Sequence, residues 1–186
     1  MPFIETEIPG LLIFEPVVLN DQRGYFFESY SARTCEAAGV DYRFIQDNQA
    51  RSSYGVVRGL HYQLNPMAQV KFIRALEGAI LDVVLDIRKG SPTFGKHFSI
   101  ELSATNKRQL LIPAGFAHGY SVLTETAEVF YKCNEFYSRE LEAGIRFDDP
   151  ELEIDWKISS ADRIISEKDK QQPLFADAKY NFIFQS

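Results

Sequence analysis

Residues 79–88 read AILDVVLDIR, preceded by Glu77-Gly78 and followed by Lys89-Gly90. Ala79, Leu81, Val83, Leu85 and Ile87 fall on one side of a two-residue period, and Ile80, Asp82, Val84, Asp86 and Arg88 on the other. Successive side chains of an extended chain point to opposite faces, so this alternation marks a β-strand over 79–90. Glu77-Gly78 reads as the turn joining it to a strand over 69–78, QVKFIRALEG. Outward from this pair, short strands recur at 54–63 (YGVVRGLHYQ), 97–103 (HFSIELS), 108–115 (RQLLIPAG) and 127–137 (AEVFYKCNEFY), most of them separated by Gly or Pro. Many short strands with tight turns predict an all-β antiparallel sandwich or barrel.

The ends of the chain read differently. LLIFEPVVL (11–19) runs into Asn20-Asp21, then QRG, then the aromatic stretch YFFESY (25–30), which predicts a hairpin about a turn. SARTCEAAG (31–39) predicts a helix, capped by Ser31 and stopped by Gly39. Residues 150–186 read as irregular structure with one or two short helices packed outside.

A length of 186 residues fits one domain with a sizeable core, and a hydrophobic content of 45% supplies it. No segment approaches the ~20 apolar residues of a membrane helix, so no membrane partner is expected. The formal charge of −6 disfavours nucleic acid, while leaving room for a few arginines to gather round a small anion. The start, MPFIETEIPG, lacks a basic region followed by an apolar stretch and does not read as a secretory signal. Cys35 and Cys133 lie far apart without paired spacing, which predicts free thiols in a reducing compartment such as the cytoplasm.

Chemistry concentrates in two short stretches. In RGLHYQ (58–63), parity places Gly59, His61 and Gln63 on one face and Arg58, Leu60 and Tyr62 on the other. A glycine followed by two polar residues suits the floor of a pocket, although a hydrogen-bonded structural histidine fits this stretch equally well. PAGFAH (113–118) matches the Pro-x-Gly-x-x-His pattern of the second cupin motif, in which a turn presents a histidine from the next strand into a barrel. A metal-binding cupin also supplies a His-x-His pair. Here the stretch is His61-Tyr62-Gln63, and a neutral amide is a poor ligand for a first-row metal, so no metal or other cofactor is expected. His97 is not spaced to complete the set.

At this point a family resemblance becomes specific. FIQDNQARSSYGVVRGLHYQLNPMAQVKFIRALEGAILDVVLDIRKGSPTFGK (44–96) resembles the dTDP-4-dehydrorhamnose 3,5-epimerase family. So do DQRGYFFESY (21–30), IPAGFAHGYSVL (112–123), AEVFYK (127–132), GIRFDDPELEIDW (144–156) and ISEKD (165–169), in order along nearly the whole chain. The resemblance implies a cupin-like jelly-roll barrel without a metal, a single domain over 1–186, and a homodimer to which the N-terminal strands contribute. It further implies a cytoplasmic isomerase acting on dTDP-4-dehydro-6-deoxy-D-glucose on the way to dTDP-L-rhamnose.

Inverting a carbon beside a ketone requires a base, an oxyanion stabiliser and an acid on the opposite side of the ring, and no cofactor. The resemblance assigns His61 as base, Asp169 behind it, Lys71 as enolate clamp and Tyr131 as acid. Each has an ordinary alternative. Ser166-Glu167-Lys168-Asp169 fits a helix-capping pattern, Lys71 an edge lysine, and Tyr131 a core tyrosine alternating with Val129 and Cys133. Asp82, on the polar face of the neighbouring strand, is expected to hold Lys71 charged. For the nucleotide sugar the resemblance implies Arg23, Arg58 and Lys168 at the diphosphate or sugar, with Glu28, Gln46, Asn48, His118 and Glu142 as hydrogen-bonding partners. Tyr137 is expected to line the same pocket, and the aromatics of 25–27 could stack on thymine. Arg58 and His61 share a pocket only if the strand bulges near Gly59 or a partner subunit contributes. Departures from the family pattern are Gln49-Ala50, Arg139 in place of a common proline and Phe147 in place of a common tryptophan; none removes a proposed catalytic group. Alternative readings are a single-carbon epimerase or a 3,4-ketoisomerase on a related dTDP-sugar, a non-catalytic nucleotide-sugar-binding cupin, and a metal dioxygenase.

Overall fold

A computed structural model describes residues 2–185. In chain order the strands are β1 (Phe3–Glu5), β2 (Leu12–Phe14), β3 (Leu19–Asp21), β4 (Gly24–Phe26), β5 (Gln46–Ser53), β6 (Val56–Gln63) and β7 (Lys71–Glu77). They continue with β8 (Ala79–Asp86), β9 (His97–Ser103), β10 (Gln109–Ile112), β11 (Phe116–Val122), β12 (Thr126–Cys133), β13 (Glu142–Gly144) and β14 (Ile164–Ile165). Two short α-helices join them, α1 (Ala32–Ala37) and α2 (Glu167–Lys170).

One sheet has the order β1-β2-β10-β7-β12-β5, and the other β13-β6-β11-β8-β9 with β14 pairing β6. The pairings between the named strands are antiparallel except that of β14 with β6, which is the cupin-like, β-rich architecture expected. Between the sheets lies a core that includes Ile73, Ile80, Val84, Leu110, Phe116, Val122 and Val129. The opposite face of β8, Leu81, Val83, Leu85 and Ile87, packs against a second cluster with Ile145, Leu152, Trp156 and Phe182 from the C-terminal segment. Trp156 is wholly buried there, and its indole donates to the Phe147 carbonyl at 2.8 Å. Each such aliphatic side chain stabilises the fold by roughly 1.5–3 kcal/mol when withdrawn from water. The irregular C-terminal chain is thus a lid on the second sheet. A third cluster, of Phe14, Cys35, Val40, Val70, Phe72 and Leu111, places α1 outside the first sheet.

The expected strands form with shorter ends, 79–90 stopping at Asp86 and 108–115 at Ile112, and further readings change. The run 11–19 is not one strand arm: it breaks around Pro16, so β2 joins the first sheet and only β3 and β4 form the hairpin. Strands β1, β5, β13 and β14 were not expected. The expected strand 127–137 ends at Cys133, since residues 134–138 leave the sheet as a loop. Helix α1 forms where expected, with Ser31 Oγ accepting the Thr34 N–H at 3.3 Å and Gly39 at φ 75° just beyond.

The feature that positions the site is a bulge in β6. Across β11, His118 pairs with His61 but Tyr120 pairs with Arg58, so β6 spends one extra residue over this interval. The Gly59–Leu60 peptide is cis and Gly59 has φ 127°. A Cβ on Gly59 would lie 2.5 Å from Gly119 Cα, and one on Gly119 would lie 2.5 Å from the Arg58 carbonyl oxygen. Only glycine fits at both positions. The extra residue reverses the strand's parity: Leu60 and Tyr62 join the outer cluster along with Val57, whereas Val56 packs inward. Gly59→Ala should therefore lower stability by about 2 kcal/mol or more, a melting shift of roughly 4–8 °C for a chain of this size. Differential scanning calorimetry will show it; an unchanged transition would mean the bulge tolerates a side chain.

Candidate active site

The interior faces of both sheets are polar at one end. From β5 come Gln46 and Asn48, from β6 His61 and Gln63, from β7 Lys71 and from β12 Tyr131. With Gln69, Tyr137 and Glu142 they line a cavity of about 340 Å³. A smaller inner chamber of about 150 Å³ shares His61, Lys71 and Tyr131 with it, and is completed by Arg58, His118, Tyr120 and their neighbours. The bulge is what allows Arg58 and His61 to face this interior together, so no partner subunit is needed to unite them.

His61 reaches back to Asp169: its Nε2 lies 2.7 Å from Asp169 Oδ1. Asp169 Oδ2 also accepts the Gly59 N–H at 3.3 Å. Burial pushes the Asp169 carboxyl up, but the hydrogen bond and charge of His61, the Gly59 N–H and Ser166 outweigh it, and the group sits below its ordinary value. The helix-capping reading of Asp169 is also correct, for a different atom. Ser166 Oγ accepts the Asp169 backbone N–H at 3.1 Å, which leaves the carboxylate free for the imidazole. An ionised Asp169 requires the proton on Nε2, so Nδ1 carries the lone pair.

Lys71 stands between the two cavities. Burial lowers its pKa, opposed by the charges of Cys133, Asp82 and Glu142. Asp82 favours the charged form of Lys71, as expected, but from a distance, since its Oδ2 bonds His118 Nε2 at 2.8 Å. Both are inward residues of neighbouring strands, β8 and β11, which explains the pairing. Asp82 acts on Lys71 through its charge alone. Tyr131 is pushed up to about 12, chiefly by burial, and so stays neutral over the working range.

At the mouth, Glu142 accepts from Tyr137 Oη at 2.8 Å and pairs with Lys168 at 2.6 Å. Gln46 accepts the Tyr137 N–H at 3.3 Å and donates to Asn48 at 3.0 Å. Gln63, the residue standing where a metal cupin has its second histidine, is engaged in structure. Its carbonyl accepts the Ser138 N–H at 2.8 Å, and its amide donates to the Phe136 carbonyl at 3.0 Å and to that of Met67. His97 lies on β9 and lines neither cavity.

Two expected nucleotide contacts are not brought to the cavity within one chain. Arg23 projects from the β3–β4 hairpin with its side chain 85% exposed, paired to Asp21 at 2.6 Å. Glu28 accepts from Thr34 and faces a separate cleft with Phe14 and Pro16. The cause is topological: β3 and β4 pair only with each other, and their hairpin lies by Arg74 and Lys107 rather than at the cavity. The aromatics Tyr25 and Phe26 share that exposed hairpin. Sequence reading missed Gln69 and Tyr120 as lining residues. Tyr120 was within reach, since it follows His118 by two in the same strand and so shares its face.

Comparison with known proteins decides the family. Residues 5–177 match the model of the family described as dTDP-4-dehydrorhamnose 3,5-epimerase. The chain belongs to that family. The dTDP-4-dehydrorhamnose 3,5-epimerase of Shigella flexneri is 50% identical over 181 residues, 97% of this chain and 99% of the relative. That of Pseudomonas aeruginosa is 53% identical over 172 residues, 92% and 94% of the two chains. Among solved structures, the dTDP-6-deoxy-D-glucose-3,5-epimerase of Legionella pneumophila, in complex with dTDP-4-keto-L-rhamnose, superposes with a TM-score of 0.94 at 43% identity. It covers 99% of this chain and 98% of its own. As an epimerase-family member the chain is an isomerase.

The Gln63 contacts carry a prediction. Gln63→Ala leaves the Ser138 N–H and the Phe136 carbonyl without their protein partner. It should cost about 1–3 kcal/mol, read as a lowered melting temperature. Because the same loop holds Tyr137, the variant should also raise KM; a variant with unaltered melting and KM would show the loop to be held elsewhere.

Proposed function

We propose that this chain inverts carbons 3 and 5 of dTDP-4-dehydro-6-deoxy-D-glucose, yielding dTDP-4-dehydro-L-rhamnose, by proton transfer next to the 4-keto group. The observation that carries the reading is the convergence of His61, Lys71 and Tyr131 on one cavity with Asp169 bonded behind the imidazole.

Each group has the state its task needs. His61 Nδ1, with Nε2–H held by Asp169, takes the proton from the carbon. Lys71 meets the oxygen that becomes an enolate; one such positioned charge is worth about 3–4 kcal/mol in the transition state. Tyr131 returns a proton. His61 projects from β6 of one sheet and Tyr131 from β12 of the other, so acid and base approach the bound ring from opposite walls, as inversion requires. Arg58, Lys168, Gln46, Asn48, His118, Glu142 and Tyr137 serve the sugar and diphosphate; the planar fork of Arg58 suits phosphate oxygens.

The active form proposed is a homodimer in the cytoplasm. Supporting the dimer, the hairpin and its approach expose Val17, Leu19, Tyr25 and Phe26 at 76%, 61%, 59% and 71%, a patch of apolar surface that a second copy would cover. Arg23 and Glu28 would then serve the partner's cavity. The two free buried cysteines fit a reducing compartment.

Turnover in heavy water should place deuterium at both carbons, and His61→Asn should reduce exchange by roughly a hundred- to ten-thousandfold while dTDP still binds. Exchange at one carbon only would instead favour the single-carbon epimerase. Lys71→Met should lower kcat by about a hundred- to a thousandfold. Because burial lowers the Lys71 pKa, its cation is lost as pH rises, before the ordinary lysine value of 10.5. The native rate should therefore fall on the basic side below that pH, and a flat profile to pH 10.5 would remove Lys71 from the role. Finally, mixing inactive His61→Asn and Arg23→Ala proteins under conditions of subunit exchange should restore about a quarter of native activity, since half the dimers gain one intact site. No recovery would mean that Arg23 does not act across the interface.

A further inference from the structure

Three cations are assigned to the nucleotide sugar, and they are held in two ways. Arg23 is paired with Asp21 and Lys168 with Glu142, so each carries a carboxylate against its charge. Arg58 is held by a neutral group instead. Its Nε and Nη2 both donate to Ser52 Oγ, at 3.2 and 3.1 Å.

The strand explains why a serine stands there. Burial alternates along β5, so Gln46, Asn48, Ala50 and Ser52 share its inward face. Gln46 and Asn48 line the outer cavity and Ala50 the inner chamber; Ser52 comes next, buried, and lines neither. Strand β5 belongs to the first sheet and β6, which carries Arg58, to the second, so the contact crosses from one sheet to the other. A buried hydroxyl needs partners, and the acceptor side of this one is filled by the guanidinium. Ser52 also bears on Tyr120: burial raises the pKa of that phenol, while the charge of Arg58 and a hydrogen bond with Ser52 act the other way.

For the guanidinium the consequence is geometric. Nε–H and one Nη2 hydrogen point at Ser52, which leaves the other Nη2 hydrogen and those on Nη1 along the end of the plane. That end can still grip two oxygens of a phosphate. Arg58 is exposed, and a long side chain loses rotamer freedom when a ligand immobilises it. A hydroxyl removes part of that freedom beforehand without neutralising the charge, which a carboxylate in its place would do. Resting on the epimerase reading, we propose that Ser52 is a positioning residue for the diphosphate: it fixes the Arg58 guanidinium across the gap between the sheets, leaving the Nη1–Nη2 end and the whole charge for phosphate oxygens. Ser52 touches no ligand in this scheme and acts through Arg58.

The test is calorimetric binding of dTDP, and of thymidine, which lacks the phosphates, to native protein, Ser52→Ala and Ser52→Cys. Both variants remove the hydroxyl acceptor, and cysteine keeps the space filled with a weak one. Each should weaken dTDP by about two- to tenfold, the cost of ordering one long side chain on binding, and leave thymidine unchanged. In an Arg58→Ala background the same Ser52 substitutions should weaken dTDP no further, because the two residues act as one unit. Unaltered dTDP affinity in both variants overturns the proposal. A loss with alanine alone, an equal loss for dTDP and thymidine, or a loss that persists without Arg58 also overturns it, by assigning Ser52 to packing. Native protein that exchanges neither carbon in heavy water would reject the epimerase reading itself, an outcome the dTDP measurement does not depend on.

Discussion

The site depends on one carboxylate that holds two things at once. Asp169 binds the Gly59 N–H with one oxygen and His61 Nε2 with the other. The first contact anchors the bulge that turns β6 over; the second orients the side chain that the bulge has just redirected. Without the bulge, Arg58 and His61 would face opposite sides of the sheet, since an even spacing is needed to share a face and theirs is odd. Helix α2, only one turn long, matters because it fixes that carboxylate. Its Ser166 cap occupies the Asp169 N–H, so the backbone is satisfied and the side chain is free to point at β6.

Burial then sets the charge states, and it does so in opposite directions for the two groups facing the base. It weakens the hold of Lys71 on its proton and strengthens that of Tyr131. Both are moved away from water, but desolvation always disfavours the charged form, which is the protonated one for an amine and the deprotonated one for a phenol. The phenol is therefore available as an acid. Against the weakened hold of Lys71 stand the neighbouring Cys133, Asp82 and Glu142, which oppose the shift without reversing it. Asp82 serves this balance without touching the lysine, while its bonded oxygen is spent on His118.

How much of this was legible in the sequence follows from what each strand faces. In β8 one face is apolar, with Leu81, Val83 and Leu85, while the other carries the buried Asp82 and Asp86, so the strand announced itself. In β5, QDNQARSS, the inward residues Gln46 and Asn48 serve the cavity and the outward ones meet water. No hydrophobic period exists there, and the strand could not be read. The triad of His61, Lys71 and Tyr131 was readable only through family resemblance, since each residue alone fits an ordinary role. The parity conflict between Arg58 and His61 did point to the bulge. The standing of Arg23 and Glu28 outside the cavity was not readable, because nothing local in DQRGYFFESY tells where on the chain its hairpin comes to rest.

A polar interior has a consequence for where the stability lies. In a sandwich of this kind the space between the sheets normally holds the core, yet here one end of it is given over to His61, Lys71, Arg58 and their partners. Desolvating those groups costs free energy that the inner layer, shortened by the cavity, must share with other layers. The two outer clusters make up the difference. Leu81, Val83, Leu85 and Ile87 are buried by the C-terminal chain on one flank, and Phe14, Val70, Phe72 and Leu111 by the α1 region on the other. This explains why a long irregular C-terminal stretch is retained with a fully buried tryptophan in it. The same stretch that covers the second sheet also delivers Asp169, so the layer that stabilises the fold and the residue that orients the base are positioned by one continuous segment.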